Sequence, residues 1–296
     1  MCSVEISLNT FSKQESCNVQ IALVVVLDKQ GAVLDTEQLL MMQWGVGMNT
    51  IIRLLAVVFF VAPSLICAAV IADPNRRSEA VHFTKGATST VIKGQIKGYH
   101  YVDYQVRAGA GQTLSVEMNT GNASGYFNVT APGSGDVAMF IGSTSGNRFS
   151  GMLPTDGDYA IRVYLMRNAA RRNESASYTL TVGVTGQALS ATPAAKDALI
   201  PGTPFHASAK IVCAVPYDAK TKECEAFVIR RGFDGTATVE VRWGEGLKRR
   251  ILFVKGKPVA ADTTEALAVE RRGDVSVVRF GSDERFEIPD ALVTGG

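Results

Sequence analysis

From Val81 to Val184 the sequence is a succession of short segments in which apolar and polar residues alternate, and nothing else in the chain restricts its fold as much. Examples are Ser89–Gly94, Val102–Val106 and Thr113–Met118, with further segments at Gly125–Val129, Val137–Ile141, Tyr159–Leu165 and Tyr178–Val184. A repeat of two residues puts one face of an extended strand in a core and the other in water. Turn residues recur between the segments at Lys97-Gly98, Gly109-Ala110-Gly111, Ala131-Pro132-Gly133 and Pro154–Gly157. Strands of this length separated by tight turns predict an antiparallel β-sandwich of about eight strands over residues 73–186.

Residues 187–204 are small, polar and proline-containing, a composition suited to a linker. Beyond them, residues 205–296 read as a second β domain. Its strands are expected at Thr236–Trp243, Arg250–Val254, Pro258–Ala261, Ala266–Val269, Asp274–Phe280 and Arg285–Ile288, joined by glycine-bearing turns. Short connections between consecutive strands imply a small β-meander, curled or half-barrel. The whole chain is therefore expected to be all-β.

The longest apolar run, Ile51–Ala72, is interrupted only by Arg53, Pro63 and Ser64 and is followed at once by Asp73–Arg77. A spanning helix needs about 20 apolar residues. An export signal needs a basic start, a short apolar core and small residues before the cut. Met48–Arg53, Leu54–Val61 and the Cys67-Ala68-Ala69 or Val70-Ile71-Ala72 step fit the second pattern, so residues 48–72 are read as a signal peptide, with a retained anchor as the other reading. Met48 is then the expected true start. Residues 1–47 become an extension foreign to the native protein, unless the run Ile21–Leu27 is a genuine N-terminal element. The mature protein is expected in the periplasm or outside the cell, with no stable membrane insertion after cleavage.

Cleavage before Asp73 leaves two of the five cysteines, Cys213 and Cys224. An even pair in an exported chain predicts a disulfide. Closing the loop between them stabilises by roughly 2–3 kcal/mol through the unfolded state. A metal pair is the weaker reading, since only two thiols and no nearby histidine are on offer.

Whole-chain charge is nearly balanced, 30 Lys and Arg against 28 Asp and Glu, which argues against a nucleic-acid-coating protein. The excess lies in the sandwich, with nine bases to six acids over Ala80–Gly186 against fifteen to fourteen over Phe205–Gly296. Its centre is Tyr164–Glu174, which carries Arg167, Arg171 and Arg172. In a single helical turn, Arg167 and Arg171 share a face and present guanidiniums suited to carboxylates or phosphates. The competing reading is a solvated hairpin loop.

These residues, with Phe83–Gly86, Ile96–Tyr104, Arg107–Gln112, Leu153–Tyr159 and Arg167-Asn168-Ala169-Ala170-Arg171, resemble the periplasmic inhibitors of g-type lysozyme. The similarity spans about Ala80–Val184 and rests mainly on Lys97-Gly98-Tyr99, Tyr101, Tyr104 and the arginine segment. It implies a β-sandwich, no enzymatic activity, a g-type lysozyme as protein partner and no cofactor. It also implies that Arg167 and Arg171 reach the acidic centre of the enzyme, with Tyr99 or Tyr101 packing beside them. For either tyrosine, the alternative is a cross-strand pair within a sheet. The other functional reading is a carbohydrate- or envelope-binding module with peptidoglycan or another glycan as ligand, since fold does not fix function. Catalytic motifs offer little: no nucleophile elbow, HExxH helix or Gly-rich phosphate loop occurs, and the three histidines lack partners at ligand spacing.

Overall fold

The computed structural model describes residues 73–295, apart from 217 and 245. The expected extension over 1–47 and signal over 48–72 lie outside the described residues. Residues Asp73–Gly296 form one compact unit, and it is all-β.

The sandwich begins with β1 (Arg76–Ala80), β2 (Ser89–Lys97), β3 (Tyr101–Ala108), β4 (Thr113–Thr120) and β5 (Gly125–Thr130). It continues through β6 (Ala138–Ile141), the single turn α1 (Gly142–Ser145), β7 (Arg148–Met152), β8 (Gly157–Leu165), α2 (Arg167–Arg171) and β9 (Ser175–Thr185). A five-stranded sheet in the order β1-β3-β8-β5-β6 covers a four-stranded sheet in the order β2-β9-β4-β7.

Alternation builds the core. Val102, Tyr104 and Val106 of β3 and Tyr159, Ile161 and Val163 of β8 point inward from one sheet, and Leu114, Val116, Leu180 and Val182 meet them from the other. Burying each such side chain contributes about 1.5–3 kcal/mol, which outweighs any local propensity. The two sheets are also joined by the hydroxyls of Tyr104 and Tyr178, 2.8 Å apart in the interior. Gly94 lies opposite Tyr178 on β2, and a Cβ there would come within 2.4 Å of the Tyr178 hydroxyl.

Two strands depart from the expected pattern. β1 is parallel to β3, with Arg76 opposite Tyr101, and it carries no inward apolar face. It is held by charge: Arg76 Nε lies 2.9 Å from Asp103 Oδ2, and Asp103, almost fully buried, also receives Arg162 Nε and Nη2 at 2.8 and 3.0 Å. β7 is short and follows a glycine-serine stretch, so its alternation is too brief to stand out.

The second sheet comprises β10 (Ala207–Val215), β11 (Asp218–Arg230), β12 (Ala237–Trp243), β13 (Leu247–Val254), β14 (Lys257–Ala261), β15 (Leu267–Arg272), β16 (Val275–Phe280) and β17 (Glu284–Pro289). Its order, β14-β13-β12-β11-β10-β17-β16-β15, is an up-and-down meander whose first and last strands pair, so it curls into a nearly closed eight-stranded barrel. Ile211, Val228, Val239, Val241, Ile251, Phe253 and Phe286 fill the interior, and Leu292 and Val293 of α3 (Asp290–Thr294) pack against them. The stretch between Cys213 and Cys224, which the disulfide closes into a ring, belongs to a hairpin of β10 and β11. Cys213 and Cys224 are joined in a disulfide diagonal to the strand register, Cα atoms 5.9 Å apart.

The strand directions give the sandwich two poles. Turns β2–β3 and β4–β5, α1 and α2 gather at one, while turns β3–β4, β5–β6 and β7–β8 gather at the other. The barrel grips the second pole. Arg231 Nη1 meets Asp156 Oδ2 at 2.7 Å, the Thr238 hydroxyl donates to Pro154 O at 2.6 Å, and Arg250 Nη1 donates to Ser134 Oγ at 3.0 Å. The intervening segment is pinned as well: Leu189 N donates to Ala110 O, and Thr192 N to Arg230 O. His206 accepts from Arg230 N at Nδ1, so its Nε2 donates to Thr192 O.

Candidate partner-binding pole

At the free pole the chain leaves β8 after Leu165 and makes one helical turn, α2. Ala169 and Ala170 form its buried face, which leaves Arg167, Asn168 and Arg171 in solvent. The turn stops because Asn173 takes a left-handed conformation at φ 54°, which asparagine tolerates better than most residues. Asn173 N then donates to Ala170 O at 2.9 Å and Glu174 N to Ala169 O at 3.2 Å.

The three arginines differ in their engagement. Arg172 pairs with Glu174 at 2.6 Å. Among the described residues, Arg167 and Arg171 have no hydrogen-bond or ion-pair partner. Hydrogen bonds from Asn122 and then Arg172 hold the Glu174 carboxyl below the usual carboxylate range, so it is ionised at neutral pH.

The two tyrosines part company. Tyr99 is 56% exposed in the β2–β3 turn, and that turn abuts α2, since Gly98 N donates to Glu174 O at 2.9 Å. Gly98 has φ 58°, and a Cβ there would come within 2.8 Å of Asn173 Oδ1, so the contact depends on glycine. Tyr101 is occupied elsewhere. Its hydroxyl donates to Asp73 Oδ2 at 2.7 Å, and the Arg162 guanidinium lies 4.5 Å over its ring. Burial, followed by the Asp73 carboxylate, pushes its phenol up.

Two residues at this pole escape the sequence reading. Met166 is 38% exposed beside Arg167, and Asn122 in the β4–β5 turn donates to both Glu174 Oε2 at 3.0 Å and Ser175 O at 3.2 Å. Exposed Arg, Tyr and Met side chains on a fixed backbone are the composition that protein interfaces favour. Among the described residues, no group of three or more His, Cys, Asp and Glu could hold a metal.

The geometry is that of a β-sandwich with a cationic turn at its free end. No family model matches the chain. It is 33% identical over 106 residues to the inhibitor of g-type lysozyme of Escherichia coli, a match covering 35% of this chain and 78% of that protein. Among solved structures, the periplasmic g-type lysozyme inhibitor PliG of Aeromonas hydrophila is 34% identical, with 37% of this chain and 97% of that one covered and a TM-score of 0.34. PliG of Salmonella Typhimurium is 28% identical over 37% of this chain and 98% of its own, with a TM-score of 0.31. The chain belongs to the family of g-type lysozyme inhibitors.

Proposed function

We propose that the protein is an exported, non-enzymatic inhibitor of g-type lysozyme that works in the periplasm, and that α2 inserts Arg167 and Arg171 into the acidic cleft of the enzyme. In this reading residues 48–72 are a cleaved signal, 73–186 the inhibitory sandwich, 187–204 the connection and 205–296 the barrel. The observation that carries it is the pair of unpartnered guanidiniums on an anchored turn, at the pole that the barrel leaves free. A glycosidase cleft holds carboxylates. A guanidinium can pair with such a carboxylate bidentately once water is displaced, and it brings its own charge complementarity to the encounter. Tyr99, beside the turn, supplies apolar contact area; Tyr101 does not, because its hydroxyl and its ring are already engaged.

A second reading, glycan binding, is favoured by a shallow furrow of about 740 Å³ across β2, β9 and β4, lined by Lys93, Asn119, Thr120, Ser177 and Thr179. Lysis of bacterial cell walls by a g-type lysozyme, with a c-type enzyme as control, separates the two. Inhibition selective for the g-type enzyme, weakened by Arg167→Ala or Arg171→Ala and by added salt, supports the first. Loss of neither enzyme's activity at micromolar protein overturns it.

A further inference from the structure

A five-residue helix cannot hold its own direction in water, because a helical nucleus is unfavourable until several turns follow it. The N-cap of α2, Met166, also makes no side-chain capping bond. The turn must be held from outside. Two of its external bonds are backbone to backbone, from Met166 N to Ser124 O and from Gly98 N to Glu174 O, both 2.9 Å. Among the described residues, the only side chain outside the turn that hydrogen-bonds to residues 166–175 is that of Asn122.

Asn122 is itself fixed. Its Oδ1 accepts from Ser124 N at 2.9 Å, its backbone N donates to the Thr120 hydroxyl at 3.3 Å, and its Nδ2 faces a carboxylate and a carbonyl. Only one orientation of the amide satisfies all three partners. Through it one oxygen of Glu174 is held against the β4–β5 turn while the other receives Arg172. Glu174 stands three residues after Arg171 in the chain, and an ionised carboxylate released there is attracted to the unpartnered guanidinium beside it.

We infer that Asn122 is a positioning residue for the arginine turn: by holding Glu174 toward the β4–β5 turn and onto Arg172, it keeps Arg171 free for the partner's carboxylates. This inference rests on the inhibitory reading above. It adds to that reading a residue 49 positions away in sequence that acts through Glu174, and it places the selection between Arg171 and Arg172 in the fold.

The test uses the full protein and an immobilised g-type lysozyme. Asn122→Ala should raise the dissociation rate by about tenfold while changing association far less, the pattern of lost preorganisation. The carboxyl resonance of Glu174 should titrate at higher pH in that variant, which a merely structural defect elsewhere would not produce. In an Arg171→Ala background Asn122→Ala should add little. Glu174→Gln should restore slow dissociation to Asn122→Ala, because an amide cannot neutralise Arg171. Full additivity of Asn122→Ala with Arg171→Ala, or no rescue by Glu174→Gln, overturns the inference. If Arg171→Ala alone leaves binding unchanged, the inhibitory reading of this arginine fails first and the inference falls with it.

Discussion

Removing Asp156 should harm the protein more than removing the arginine it faces. The Arg231 side chain is fully buried between sandwich and barrel. It is held by Asp156 Oδ2 at 2.7 Å, by the Thr238 hydroxyl at 3.0 Å and by Leu189 O, and its Nη2 has no hydrogen-bond partner among the described residues. Asp156→Ala leaves a buried cation without its counter-charge, a change that costs about 3–5 kcal/mol. Asp156 is itself 48% exposed, so water entering the vacated space brings the expectation to the lower end, about 3 kcal/mol. Arg231→Met removes the charge and keeps most of the volume, for which about 1 kcal/mol is expected. In a chain of this size 1 kcal/mol moves Tm by about 2–4 °C, so Asp156→Ala should melt roughly 6–12 °C low and Arg231→Met only a few degrees low. The double variant should resemble Arg231→Met, because no buried charge is then left bare. Calorimetry and urea unfolding of the four proteins measure this cycle. A cost for Asp156→Ala below that of Arg231→Met refutes the reasoning, and two separate melting transitions in the unaltered protein would show that the junction does not couple the modules.

Two more outcomes are expected. Replacing Cys213 and Cys224 by serine should lower the unfolding free energy by about 2–3 kcal/mol in urea titrations through loss of the closed loop; under the proposed function inhibition should stay unchanged, because α2 lies at the other end of the sandwich. Acid should weaken the barrel. Arg272 and Arg279 hold Glu270 down at about 2, and Arg271 holds Asp290 below its usual value. Stabilisation from such groups is present above the unfolded carboxylate values near 4 and is lost as pH falls through the folded values. Urea midpoints should therefore decline from about pH 4 toward pH 2, and the decline should be shallower in Glu270→Gln.

The sandwich was legible because β3, β4, β8 and β9 each combine a two-residue apolar period with a turn at both ends, and apart from the buried Asp103 of β3 and Gly183 of β9 burial follows that period. β1 was not, since Arg76–Ala80 has no apolar alternation and its place is set by Asp103, a buried charge on β3 whose partners, Arg76 and Arg162, come from two other strands. β10 and β11 were missed for a related reason. Lys210, Glu223 and Glu225 on their outer faces conceal the inward series Ile211, Cys213, Cys224, Ala226 and Val228. At the site, i, i+4 spacing placed Arg167 and Arg171 together because that relation is local. The diversion of Arg172 to Glu174, and of Glu174 to Asn122, depends on a contact across 52 residues that no local pattern encodes. Tyr99 and Tyr101 look equivalent in sequence and separate only when β1 brings Asp73 up to one of them.

The placement of the barrel has an electrostatic consequence. The two poles are separated by the length of β3, eight residues or roughly 27 Å at the rise of an extended strand. Screening in physiological salt acts over about 8 Å. Arg249, Arg250, Glu240, Asp262 and Glu284, which form a dense ion-pair cluster in the barrel, thus lie several screening lengths from α2. If α2 is where the enzyme docks, as proposed, the rate at which a charged enzyme is drawn to it is set by the sandwich, and charge in the barrel can change without retuning that approach.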